Sequence, residues 1–185
     1  MPCHRRFDMV IQFPFDEEKA EQTLIWLLEK QGGRIQKAKA LSWVLLADRL
    51  HLKKWRRPVL GGCYLAIGSD PIHSEFSKLI DETQTKAQKD TGFVYKSFVG
   101  SRFQPDMGRF SDSDIMALSE VIREYGKLSL LELKVLIKGI TDKNLKGGFA
   151  GDLPYEDLFK DILSEDLLEL MLDEQEIRDW LHEPA

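Results

Sequence analysis

The sequence predicts a mainly α, compact domain built around one buried central helix, with a small β-hairpin attached. Three observations carry this. In the stretch Gln36–Trp55 the middle, Leu41–Ala47, is apolar nearly all the way round, whereas a surface helix needs only one apolar stripe. Before and after it, leucine, isoleucine and valine recur at the three-and-four spacing of helical faces. Only one segment, Gly92 to Gln104, alternates loosely as strands do (Phe93, Tyr95, Phe98, Phe103), and it places the hairpin.

Along the chain, residues 1–15 form an extension, with an edge strand expected at Phe7 to Phe13. A helical domain is expected over 16–164 and an acidic, amphipathic helical tail over 165–185. Asp16 is placed to cap the first helix, since a side-chain oxygen there accepts an otherwise unpaired amide, and Glu17 and Glu18 suit its positive end. Gln31-Gly32-Gly33 stops that helix. Pro58 stops the central one, because it lacks the N–H a helix requires.

Val59 to Pro71 reads as a glycine-studded loop or short buried segment crossing the core. Asp70 and Pro71 are then placed to open a helix from Ile72 to Gln84. Ser111-Asp112-Ser113-Asp114 opens another helix. Ser129 with Glu132 has the spacing of a capping box, serine bonding the third amide and glutamate bonding back. Asp142 to Asp152 reads as a loop, Pro154 as a first-turn proline, and Asp166 to Leu181 as one helix or two broken near Asp173.

Composition narrows the function. With 43% hydrophobic and 31% charged residues the chain fits a globular, water-soluble protein. No apolar run approaches the roughly 20 residues of a membrane span, and Val10–Phe13 is too short for a signal peptide, so no membrane partner and a cytoplasmic location are expected. Two cysteines, Cys3 and Cys63, make no framework. The net charge of −5 conceals segregation: Lys30–Arg57 holds nine Lys and Arg against Asp48 alone, while Tyr155–Ala185 holds eleven acids against Lys160 and Arg178. Such ends attract one another or steer partners, and the acidic whole disfavours nucleic acid.

Chemistry finds little support. His4, His51, His73 and His182 show no paired metal-ligand spacing, no glycine loop continues into Gly-Lys-Ser/Thr, and no serine sits in G-x-S-x-G. No catalytic residue, metal or cofactor is therefore expected. The surface expected to hold a partner is the basic, aromatic-bearing end of the central helix, Lys53, Trp55, Arg56 and Arg57, beside the loop bearing Tyr64, Asp70, Pro71 and His73. The alternative is a DNA-binding regulator using the helix pair 115–140, although its second helix offers only Lys134 and Lys138 as cations. An unrecognised hydrolase ranks third for want of a nucleophile–base pair.

The order of features adds a resemblance. Leu45-Leu46-Ala47-Asp48-Arg49 is followed by a basic segment and Pro58-Val59-Leu60-Gly61, then Tyr64 and Ala66, the turn Asp70-Pro71-Ile72, and Glu124-Tyr125-Gly126-Lys127-Leu128-Ser129 running into Leu133. Over about residues 20–160 this resembles the Panacea domain, the SocA-like antitoxin family of bacterial and phage toxin–antitoxin systems. Ser42 and Leu45 stand where the family pattern has lysine and tyrosine. The resemblance implies a helical, cytoplasmic protein with no reaction of its own that binds and neutralises a cognate toxin. In one branch of the family the antitoxin is an adaptor delivering its toxin to a protease.

Overall fold

In the computed structural model, which describes residues 10–67, 70–84, 93–95, 104–145 and 151–182, helix α2 (Lys37–Trp55) runs through the middle of the molecule. Its burial on all sides has a specific origin: it feeds two hydrophobic cores at once. Trp43, Val44, Leu46 and Ala47 enter the first with Leu24, Leu27, Phe76, Ile80, Leu118 and Val121. Leu45 and Leu52 enter the second with Ile11, Tyr64, Leu153, Tyr155, Leu158, Phe159 and Met171. Full burial of one such side chain contributes about 1.5–3 kcal/mol, so losing either core would be severe.

The helices around α2 start where local chemistry allows. In α1 (Glu17–Lys30), Asp16 Oδ1 accepts the Lys19 amide at 2.9 Å. In α4 (Asp112–Tyr125) and α5 (Leu130–Asn144), Ser111 with Asp114 and Ser129 with Glu132 close complete capping boxes. The outer side of α2 packs most extensively on α4, with α5 and α3 (Ser74–Glu82) beside it. The expected mainly helical class and buried central helix are thus what the chain forms.

Two small antiparallel sheets complete the fold. In one, β1 (Arg34–Gln36) pairs with β4 (Phe93–Tyr95), Ile35 opposite Val94. In the other, β2 (Tyr64–Ile67) lies between β3 (Asp70–His73) and β5 (Gly151–Leu153), in the order β3-β2-β5. The short helix α6 (Tyr155–Leu158) follows, and the long α7 (Glu165–His182) ends the described chain.

Several expectations are corrected. A hairpin lies at β2–β3; of the segment 92–104, Phe93–Tyr95 pair with β1, and residues 92 and 96–103 fall outside the described residues. Asp70 and Pro71 do not open a helix, because both are strand partners of Ile67 and Ala66; α3 starts only at Ser74, capped by His73. Residues 10–13 form no strand, since Pro14 follows and their partners are side chains and a loop; 7–9 lie outside the described residues. Of the loop expected at 142–152, the two ends belong to α5 and β5, and 146–150 lie outside the described residues. The tail is one unbroken helix, α7, and its Met171 enters the second core.

Candidate functional site

Past the end of α2 the chain turns back on itself, Arg56 adopting the left-handed conformation at φ 59°. The reversal is held from inside by Asp48, which has no access to solvent. Its carboxylate accepts the amides of Val59 at 2.8 Å and Leu60 at 3.4 Å, and the Tyr64 hydroxyl at 2.7 Å. Burial raises the pKa of Asp48, partly offset by nearby His73 and these donors. Burial also pushes the Tyr64 hydroxyl well up, reinforced by the Asp48 carboxylate, so at neutral pH Tyr64 is a donor. His73 faces Tyr64 across the strands and is equally buried. Its Nε2 donates to the Gly61 carbonyl at 2.7 Å and its Nδ1 accepts the Phe76 amide at 3.3 Å. Tyr64 and His73 are therefore interior joints of the hairpin, each only 1% exposed.

A second buried carboxylate, Asp114, gathers the basic end of α2. It lies 3.2 Å from Arg57, 3.3 Å from Lys19 and 3.4 Å from His51. Burial alone would raise its pKa, but the Ser111 amide and hydroxyl, then Lys19 and Arg57, bring it below the usual value. Burial lowers the pKa of His51, whose Nδ1 donates to the Arg57 carbonyl at 2.6 Å while Nε2 accepts the Ser113 hydroxyl at 3.0 Å. Trp55 stacks on His51 with ring centroids 4.7 Å apart.

Of the residues expected to form a surface, Arg57 is thus half committed inside. Lys53 and Arg56 are exposed, Arg56 reaching Glu174 of α7 at only 3.9 Å, and Trp55 is half-buried. Asp70, exposed, and Pro71, half-buried, stand at the turn end of the β2–β3 hairpin beside the exposed Ile67. The acidic helix and the basic helix end do meet at this solvent-exposed pair.

A large concavity among the described residues was not expected. Residues Val10–Phe15 form an extended strap laid between the body and α7. Gln175 of α7 presents its side-chain amide to it as a neighbouring strand would: Oε1 accepts the Gln12 amide at 2.7 Å and Nε2 donates to the Val10 carbonyl at 3.2 Å. Arg178 donates to the Gln12 carbonyl at 3.2 Å and lies over the Phe13 ring. On the body side the Gly62 amide donates to the Phe13 carbonyl at 2.8 Å. Along the strap runs a groove of about 780 Å³, walled by β2, β5 and α7 and lined by Cys63, Tyr64, Glu75, Asp152, Tyr155 and Asp179 among others. A smaller cavity of about 520 Å³, lined by Asp16–Lys19, Arg57–Gly61 and Arg178, lies against the same strap. The groove's lining residues are dispersed from position 10 to position 179, so no motif announces them.

Elsewhere α5 turns Leu131 (73% exposed) and Val135 (66%) outward next to Lys134 and Lys138. Among the described residues no helix is long and apolar enough to cross a membrane, and no three potential metal ligands converge.

A family model, the SocA-like antitoxin with its Panacea domain, matches residues 43–139, a little more than half of the chain. The match runs from within α2 to within α5. It takes in Asp48, Tyr64, His73 and Asp114 and leaves out the strap, β5 and α7. No curated protein and no solved structure matches the chain.

Proposed function

Since the chain belongs to the SocA-like antitoxin family, with its Panacea domain, we propose that it binds a cognate protein toxin and neutralises it by direct contact, with no catalytic reaction of its own. Family membership is the observation that carries this reading. The geometry agrees with it in one respect: the cations Lys53 and Arg56 are exposed at the end of a helix that is itself rigidly buried, which suits a surface made for contact. Arg57 belongs less to that surface, because its guanidinium is engaged by Asp114 and Ser111.

The test is co-expression with the product of the gene beside this one, read as growth and co-purification. Rescue together with a stable complex is the expected result. Lys53→Glu with Arg56→Glu, both at exposed positions, should keep the fold and weaken the complex. Undiminished rescue by that variant would move the contact surface elsewhere. A toxin whose cellular half-life falls only in the presence of this protein would add the adaptor role.

Duplex DNA binding by α4 and α5 is the alternative. The outward side of α5 offers Leu131 and Val135 where phosphate and base contacts would be needed, so it ranks second. Steeply salt-dependent binding to duplex DNA would promote it.

A further inference from the structure

The groove beside the strap has an unusual electrostatic composition. Glu75 is half-buried and accepts the Cys63 amide through one carboxylate oxygen, Oε2, at 2.9 Å. Asp152 enters from β5, near enough to act on the Cys63 thiol, and Asp179 enters from α7. Partial burial together with Glu75 and Asp152 pushes that thiol up, so it adds no negative charge of its own at neutral pH. Among the described residues neither Asp152 nor Asp179 has an ion-pair partner. The cation in the lining, Arg178, is held on the Gln12 carbonyl and the Phe13 ring.

A second, independent observation concerns Tyr155. It is only 3% exposed, it lines the groove, and its hydroxyl has no hydrogen-bond partner among the described residues. Burial, reinforced by Asp48, Cys63 and Glu75, pushes that hydroxyl well up, so it keeps its proton at neutral pH. A buried hydroxyl left without a partner costs about 1–3 kcal/mol, and it is the kind of group a ligand satisfies. Carboxylates arriving from separate elements in a groove that also holds an unsatisfied hydroxyl call for a cation that carries several N–H donors on an apolar stem. The rings of Tyr64, Tyr155 and Phe13 supply apolar walls for such a stem.

We propose that this groove receives a basic side chain presented by the partner protein, with Glu75 and Asp152 as its counter-charges and the Tyr155 hydroxyl as a hydrogen-bond acceptor. The proposal rests on the antitoxin reading for the identity of the partner, but not for the chemistry of the groove. One wall, Cys63, Tyr64 and Glu75, lies inside the family match, whereas the strap, β5 and α7 lie outside it. The shared wall supplies one counter-charge, Glu75, and the private wall supplies the other, Asp152, together with the strap and helix that select which partner fits.

The experiment uses the full-length chain, isotope-labelled for amide NMR, titrated with the capped peptide Ala-Val-Arg-Val-Ala and with the same peptide carrying glutamate in place of arginine. The arginine peptide is expected to shift the amides of Gly62, Cys63, Asp152 and Tyr155, and the glutamate peptide is not. Asp152→Asn, at an exposed position, should weaken binding about tenfold, as removal of one member of a charge pair does. Tyr155→Phe, which keeps the ring, should weaken it less. No shift in the groove, or equal shifts with both peptides, overturns the proposal. A second arm separates it from the antitoxin reading. If the neighbouring product is toxic and Asp152→Lys still rescues and co-purifies as wild type does, the groove proposal falls and the antitoxin reading stands. If that product is harmless yet the arginine peptide binds in the groove, the antitoxin reading falls and the groove's chemistry stands.

Discussion

Asp48 holds contacts of large consequence, because both of its oxygens are spent on groups that would otherwise be buried unpaired. Replacing it with alanine should cost about 2–4 kcal/mol, since two amides and the Tyr64 hydroxyl lose their acceptor. Asp48→Asn keeps an acceptor for Val59 and removes the buried charge, so it should cost far less. The sign of the pH dependence follows from the raised folded pKa. Below the unfolded value of about 4 both states are protonated and the group is neutral in its effect. As pH rises from there through the folded value, ionisation favours the unfolded chain and the contribution of Asp48 declines. Urea unfolding below the unfolded value of about 4 and again at neutral pH should therefore show the asparagine variant gaining on wild type at the higher pH. Gly61 is constrained differently: its φ is 71°, and an added Cβ would sit 2.1 Å from the Pro14 carbonyl oxygen. Gly61→Ala should destabilise by more than about 1 kcal/mol and free the strap, read as new proteolytic cleavage near residues 10–15.

Among the elements, the two capping boxes offer a controlled comparison. Ser129→Ala removes a cap that serves only α5 and should cost about 1 kcal/mol. Ser111→Ala should cost more, because that hydroxyl also meets Arg57 at 2.9 Å and Ser113 at 2.9 Å. Thermal unfolding of both variants measures the difference. The same comparison explains what was legible in the sequence. Caps at Asp16, Ser111 and Ser129 depend on neighbours three residues away, so the residues themselves disclose them. The central helix was legible because its apolar run has no polar side. The strand pairings were not, because Ile35 finds Val94 across 59 positions of chain. Nor does anything near Asp70 and Pro71 reveal that β2 captures them before a helix can start. The candidate surface divided for the same reason. Tyr64 and His73 look like loop residues in sequence, and only the antiparallel register of β2 and β3 turns both inward. The groove was illegible for want of any local signal, its carboxylates standing at 75, 152 and 179.

At the scale of the whole molecule, one cluster ties the last third of the chain to the central helix. Arg49 donates two hydrogen bonds of 2.6 Å to Asp161, which also accepts from Asn144 at 2.8 Å. These bonds, the Arg49 fork foremost, lower the pKa of Asp161 to about 2. The folded value is depressed, so the stabilisation is present above the unfolded value and is lost as pH falls through the folded one. Acid unfolding should therefore draw on this site between about pH 4 and pH 2. Asp161→Asn should flatten that part of the stability curve and cost on the order of 1 kcal/mol at neutral pH, given the partial solvent screening of the pair.

The clasp of Gln175 on the strap also has a meaning in time. Gln12 and Gln175 stand 163 positions apart, so the strap leaves the ribosome long before the helix that grips it has been made. Until then Val10–Phe15 leans on the body alone, through the Gly62 amide and through Ile11 and Phe15 on the two cores, and the groove lacks its α7 wall. The contact that completes it is among the most distant in sequence that a chain of this length permits, and such contacts close late. The surface proposed for the partner is thus an attribute of the finished molecule, and a nascent chain cannot take hold of its partner there.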